Sequence, residues 1–163
     1  MILRAASLLG GPRVRTLVVT AIALLLGRHG KWRQARLLVV VVGGVGLVTT
    51  GVKMLVERQR PTPLRGVRQA GGYSFPSGHS SGTLALCGTL AYLYWDATER
   101  QSSALLLGAM GAAATGLIGY SRVALRHHHT GDVIGGYALA ASWLALILRE
   151  FGRRRAPRGR AEA

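Results

Sequence analysis

Long uncharged runs alternate with short polar clusters along the 163 residues. Leu37 to Val52, Ser80 to Trp95, Gln101 to Ser121 and Val133 to Leu148 contain no charged side chain. With their flanks these runs have the length and composition of membrane-crossing helices. A fifth run, Thr16 to Gly27, would cover only about 18 Å as a helix, against a hydrocarbon core of roughly 30 Å. It also lacks a small-residue cleavage site, so it does not read as a signal peptide. The pattern predicts an all-α, multi-pass transmembrane helix bundle with four spans and one short N-terminal candidate. Residues 1–150 form a single domain, and 151–163 a basic cytoplasmic tail.

The breaks between runs carry local signals. Pro61 and Pro63 stop the helix of the Leu37 to Val52 run near Arg58, and Thr62 to Tyr73 reads as an irregular loop with Gly66, Gly71 and Gly72 as flexible points. Pro76 suits the first turn of the next helix, whose early backbone N–H groups then face whatever lies in front. Gly108, Ala112 and Gly116 recur at spacings of four, a stripe that predicts a close helix-packing face. Cys87 lies in an apolar run and reads as a small filler. A lone cysteine forms no internal disulfide and argues against a cysteine-based metal site.

Charge changes the picture by its position. The formal net charge is +15, and arginine supplies 19 of the 21 cations. Short basic loops stay in the cytoplasm, so the 28–36 loop and the arginine tail are expected inside, with Trp32 at the interface. That leaves the tail to anionic lipid of the inner leaflet, and nucleic acid is not expected as a partner. Alternation of the four spans then brings Lys53 to Arg60, Pro76 to His79 and Ser121 to Asp132 to one outer face. One strain remains: a first span at 16–27 leaves Arg4, Arg13 and Arg15 outside, against the same rule. Either that segment is partly interfacial or the chain begins later than its relatives.

The segment Ser121 to Asp132 is the densest in chemistry. His128 and Asp132, four apart, share a face if the turn is helical. A carboxylate that accepts the Nδ1 proton would free Nε2 as base or nucleophile, and Arg122 supplies a planar fork suited to phosphate. Taken alone, the triple histidine serves equally well as a solvated run or an adventitious metal site.

The three clusters together read K-x6-RP (Lys53, Arg60, Pro61), PSGH (Pro76 to His79) and SR-x5-H-x3-D (Ser121, Arg122, His128, Asp132). In order and internal spacing they resemble the type-2 phosphatidic acid phosphatases, of the superfamily that also holds bacterial acid phosphatases and vanadium haloperoxidases. The resemblance implies His128 as a nucleophile that forms a phosphohistidine, Asp132 as its orienting partner, and His79 as the acid that protonates the leaving oxygen and then activates water. It implies Lys53, Arg60, Ser77, the Gly78 N–H and Arg122 as the phosphate cradle, and no metal or other cofactor. His127 and His129 fall outside the spacing and are expected to be polar loop residues; Arg58, Arg65, Arg68 and Arg126 are expected to be surface cations. The implied partner is a membrane lipid phosphate: phosphatidic acid, phosphatidylglycerol phosphate or undecaprenyl diphosphate, met at the outer face of the cell membrane. Relatives commonly have six membrane helices with the first cluster after the third, whereas two candidates precede it here. An inactive relative lacking its first helix is the alternative, and a haloperoxidase, known as a larger soluble architecture, is the remote one.

Overall fold

The computed structural model describes residues 2–62 and 71–153. Arg65, Gly66, Arg68 and the basic tail beyond Arg153 lie outside the described residues. Six helices follow in order: α1 (Ile2–Leu9), α2 (Pro12–Arg28), α3 (Trp32–Val56), α4 (Gly78–Thr98), α5 (Gln101–Ala124) and α6 (Thr130–Arg153). The first cluster thus lies at the end of the third helix. α1, however, has eight residues and covers only about 12 Å.

Among the described residues, three helices have the length and apolarity to cross a membrane: α3, α5 and α6, the last over Thr130–Gly152. The short N-terminal candidate is longer than its uncharged run, because α2 opens at Pro12 and includes Arg13 and Arg15. Together with α1 it makes a pair bent by 47° that passes the same test jointly. The second of the four expected spans does not pass this test on its own. Ser80 to Trp95 does form a helix of 21 residues, but α4 is not among the apolar spans. The reason is its place in the bundle, where it packs against α2, α3, α5 and α6. A helix surrounded by protein has little lipid to satisfy, and α4 buries Ser80, Ser81, Thr83 and Thr89 instead of presenting leucines.

Leu38, Val41 and Val45 of α3 meet Ala85 and Leu93 of α4 and Ala140 of α6 in the apolar core. Outside it, Leu47, Leu105, Leu106, Met110, Leu117 and Ile134 are exposed, as expected for side chains whose solvent is lipid. Polar contacts tie the helices internally: Thr49 and Ser81 hydroxyls lie 3.1 Å apart, and Trp143 Nε1 donates to the Val41 carbonyl at 3.1 Å.

The small-residue stripe on α5 does not do what its spacing predicts. Nothing comes within 4 Å of a Cβ built on Gly108 or Gly116, and Ala112 is exposed. The tight contact is one position away, at Gly111 against the Cys87 side chain. Cys87 is half-buried there, in keeping with a filler.

Candidate active site

The helix ends, more than the helix middles, assemble the site. Lys53 lies in the last turn of α3, whose helix stops at Val56 with Glu57 in the left-handed conformation (φ 49°). The chain then carries Arg58 and Arg60 back over the bundle, and residues 71–77 lead into α4. Ser77, not Pro76, occupies the N-cap of α4: its Oγ accepts the Ser80 backbone N–H and the Ser80 hydroxyl at 3.0 Å. Ser77 is fully buried behind Gly78 and His79, which face the cavity. The Gly78 and His79 N–H groups belong to the first turn and have no intrahelical acceptor.

Asp132 is at the third position of α6 and accepts the His129 backbone N–H at 2.8 Å, the back-reaching half of a capping box. Its own carbonyl accepts the Ser77 N–H at 2.8 Å, which joins the start of α4 to the start of α6. Gly136 permits this approach, since a Cβ there would lie 2.7 Å from the Ser77 carbonyl oxygen. The fully buried carboxylate has Oδ2 at 3.4 Å from His128 Nδ1. That is longer than a formed hydrogen bond, a separation common before substrate draws a catalytic pair together.

His128 is 3% exposed, with Nε2 3.3 Å from Arg60 Nη1. A guanidinium can only donate, so Nε2 is the acceptor and the proton sits on Nδ1, toward Asp132. Burial, reinforced by Arg60, Arg122 and Lys53 and opposed by Asp132, holds the imidazole far below its ordinary range, at about 3. The result is a neutral ring with its lone pair on Nε2.

A cavity of about 260 Å3 is lined by Arg15, Lys53, Arg60 and Arg122, with His79 and His128 between them. Among the described residues no carboxylate lines it. The cations are held by backbone carbonyls: Lys53 Nζ donates to Tyr73 at 2.8 Å, and Arg60 to Gly72 at 2.9 Å and His127 at 2.7 Å. Arg122 Nη1 donates to the Ser7 hydroxyl of α1, and its buried Nε has no acceptor among the described residues. Positive charges positioned by dipoles around a space that no described carboxylate lines form a receptor for an anion. Toward α2 and α3 the cavity meets an apolar groove of about 650 Å3, with Arg15 and Gly46 common to both. On another side it meets a polar mouth of about 810 Å3 through Arg60 and His128.

Every residue expected at the site from the sequence is therefore at one end of the bundle. Lys53, Arg60, Gly78, His79, Arg122 and His128 line the cavity, while Ser77 and Asp132 support it from behind. Two residues were not anticipated at the site. Arg58 is a surface cation as expected, its side chain 42% exposed, and it also donates from Nη1 to Asp132 Oδ1 at 3.0 Å. Arg15 stands out in the sequence only as a breach of the charge rule for loops, its one sequence signal. His129 is a loop residue as expected, yet its Nδ1 approaches Asp132 Oδ2 to 3.4 Å.

Comparison with known proteins bears on the fold and the family. A solved structure described as the first transmembrane PAP2 type phosphatidylglycerolphosphate phosphatase, from Bacillus subtilis, has the same fold. The TM-score is 0.84 at 24% identity, over 97% of this chain and 78% of that one. A search of curated proteins finds no match. The family comparison matches the PAP2 superfamily over residues 34–156, a stretch that includes all three clusters. With most of the chain matched and its helices arranged around the same clusters, the protein belongs to the PAP2 superfamily, as a multi-pass membrane phosphatase.

Proposed function

We propose that the protein hydrolyses a lipid-linked phosphomonoester or diphosphate through a phosphohistidine, at the outer face of the cell membrane. The observation that carries this reading is the cavity itself, in which four cations and two histidines converge with no carboxylate among them. Lys53, Arg60 and Arg122, with the first-turn N–H of Gly78, bind the oxygens of the phosphate and stabilise the charge spread over them in the transition state. Ser77 acts through the helix start that it caps.

In the first displacement the Nε2 lone pair of His128 attacks phosphorus and the bond to the leaving oxygen breaks. His79 gives that oxygen a proton, and Asp132 stabilises the ring as it becomes cationic. In the second, neutral His79 takes a proton from water, the water oxygen attacks phosphorus, and the P–N bond breaks to return Nε2. The candidate substrates are phosphatidic acid, phosphatidylglycerol phosphate and undecaprenyl diphosphate. The fold similarity to a phosphatidylglycerolphosphate phosphatase supports the second.

The test is release of inorganic phosphate from these three lipids by detergent-purified protein, with a chelator present. Wild type should release phosphate and His128→Ala should not, with loss of at least 1000-fold, on the order expected when a nucleophile is removed. Full activity of His128→Ala would exclude the mechanism.

A further inference from the structure

Arg15 lies outside the three clusters and outside the matched family region, which begins at residue 34. Nevertheless, it reaches the centre of the site. From α2 its Nη1 donates to the carbonyl of Gly78 at 3.2 Å, across 63 residues of sequence. Gly78 is the residue before His79, which supplies the leaving-group proton on the proposed mechanism. The guanidinium lies against α4 at Gly82, which leaves room for it: a Cβ on Gly82 would overlap the Arg15 guanidinium. A weaker contact at 3.5 Å holds the same nitrogen to the Gly10 carbonyl. Its hydrogen-bond acceptors are thus backbone carbonyls, and it forms no ion pair among the described residues.

Its position between cavities is as informative as its contacts. Arg15 lines both the polar cavity and the apolar groove between α2 and α3. The remaining groove lining is largely apolar, with Val19, Ala23, Val39 and Val42 among it. A lipid whose chains lie along that groove would present its scissile phosphate to Lys53, Arg60, Arg122 and His128. The part of the headgroup joining chain to phosphate would then pass Arg15. For phosphatidic acid that part is an uncharged glycerol ester. In a polyprenyl diphosphate it is a phosphate, and in phosphatidylglycerol phosphate it is a phosphodiester one glycerol away.

We infer that Arg15 is a specificity-determining residue that binds a second, non-scissile phosphate on the leaving-group side, so the enzyme prefers lipids carrying two phosphates to phosphatidic acid. This inference rests on the phosphatase reading above. Three cations already surround the phosphate that is cleaved, and a fourth on the chain side has its best partner in a second anion. A planar fork suits a phosphate there.

The experiment compares kcat and KM of wild type, Arg15→Gln and Arg15→Lys on phosphatidic acid, phosphatidylglycerol phosphate and undecaprenyl diphosphate in mixed micelles. Arg15→Gln should lose roughly 10- to 100-fold in kcat/KM on two-phosphate lipids, the range of one charge-assisted hydrogen bond. Its loss on phosphatidic acid should be clearly smaller, and Arg15→Lys should recover part of the loss on two-phosphate lipids. A loss confined to one of the two lipids would identify which spacing of phosphates Arg15 reads. Equal loss on all three substrates would overturn the inference and leave Arg15 as a staple between α2 and the start of α4.

A binding measurement covers the case of poor folding. Pyrophosphate should protect wild type from thermal unfolding better than orthophosphate does, and Arg15→Gln should erase that difference. Equal protection of wild type by the two anions would likewise count against a second phosphate site. If wild type released phosphate from no lipid at all, the phosphatase reading would fall, and this inference with it.

Discussion

Asp132→Asn removes one charge and almost no volume, so it isolates what the carboxylate does for His128. At 3.4 Å from Nδ1, a unit charge would attract a cationic imidazole by about 5 kcal/mol at an effective dielectric of about 20. Arg58, 3.0 Å from the other carboxylate oxygen, offsets part of this. A net figure of about 1.5–3 kcal/mol, typical of a charged hydrogen bond, is the reasonable remainder, or roughly 10- to 150-fold in rate. Asparagine also offers a donor where the Nδ1 proton needs an acceptor, which disfavours the reactive tautomer. The kcat for phosphate release is therefore expected to fall by roughly 100-fold or more, with KM within about threefold, because the ring is cationic in the transition state and neutral before it. The amide oxygen can still accept the His129 N–H, so thermal stability in detergent should change little. By contrast, Asp132→Ala should also lose about 1 kcal/mol as the cap disappears. A kcat for Asp132→Asn within fivefold of wild type, in a protein of unchanged stability, would refute an orienting role.

Two further predictions follow from burial and from orientation. His128 titrates near its ordinary 6.5 in the unfolded chain but is held at about 3 when folded, chiefly by burial and then by Arg60 and Arg122. Unfolded protein therefore binds the extra proton between those values. His128 favours the native state above about pH 6.5, and that contribution is lost as pH falls toward 3. The thermal midpoint of substrate-free protein should drop from pH 7 to 4.5, and less steeply in His128→Asn; equal slopes would contradict this account. For the orientation, a cysteine at Thr62, in a Cys87→Ala background, should react with an impermeant thiol reagent on intact cells. Labelling only after lysis would place the site on the cytoplasmic side.

The clusters were legible because each is local: Lys53 with Arg60, Ser77 with His79, and Arg122 with His128 and Asp132 keep spacings that helix ends enforce. Their convergence was legible too, since alternating spans put every second break at one face. What escaped was set by distant packing. Arg15 meets Gly78 across 63 residues and Arg122 meets Ser7 across 115, distances at which no periodicity survives. Arg58 differs from other loop arginines only because the chain after α3 folds back over α6. The lower apolarity of α4 than of the other three expected spans has a related reason. Absence of charge marks a helix that avoids water, but its serines and threonines show that it faces protein and not lipid. The Gly108–Ala112–Gly116 stripe failed because small residues permit close approach without compelling it.

The cavity at His128 has two continuations, the apolar groove past Arg15 and Gly46 and the polar mouth past Arg60. On the proposed reaction its two products differ in phase: orthophosphate belongs to water and the shortened lipid to the bilayer. Each would leave by the continuation that suits it, and neither would have to pass the other. Recombination would then require a dilute solute and a membrane-dissolved alcohol or monophosphate to return from different media to the same histidine. Partition between phases, as much as the chemistry of the ester, would keep turnover running in one direction.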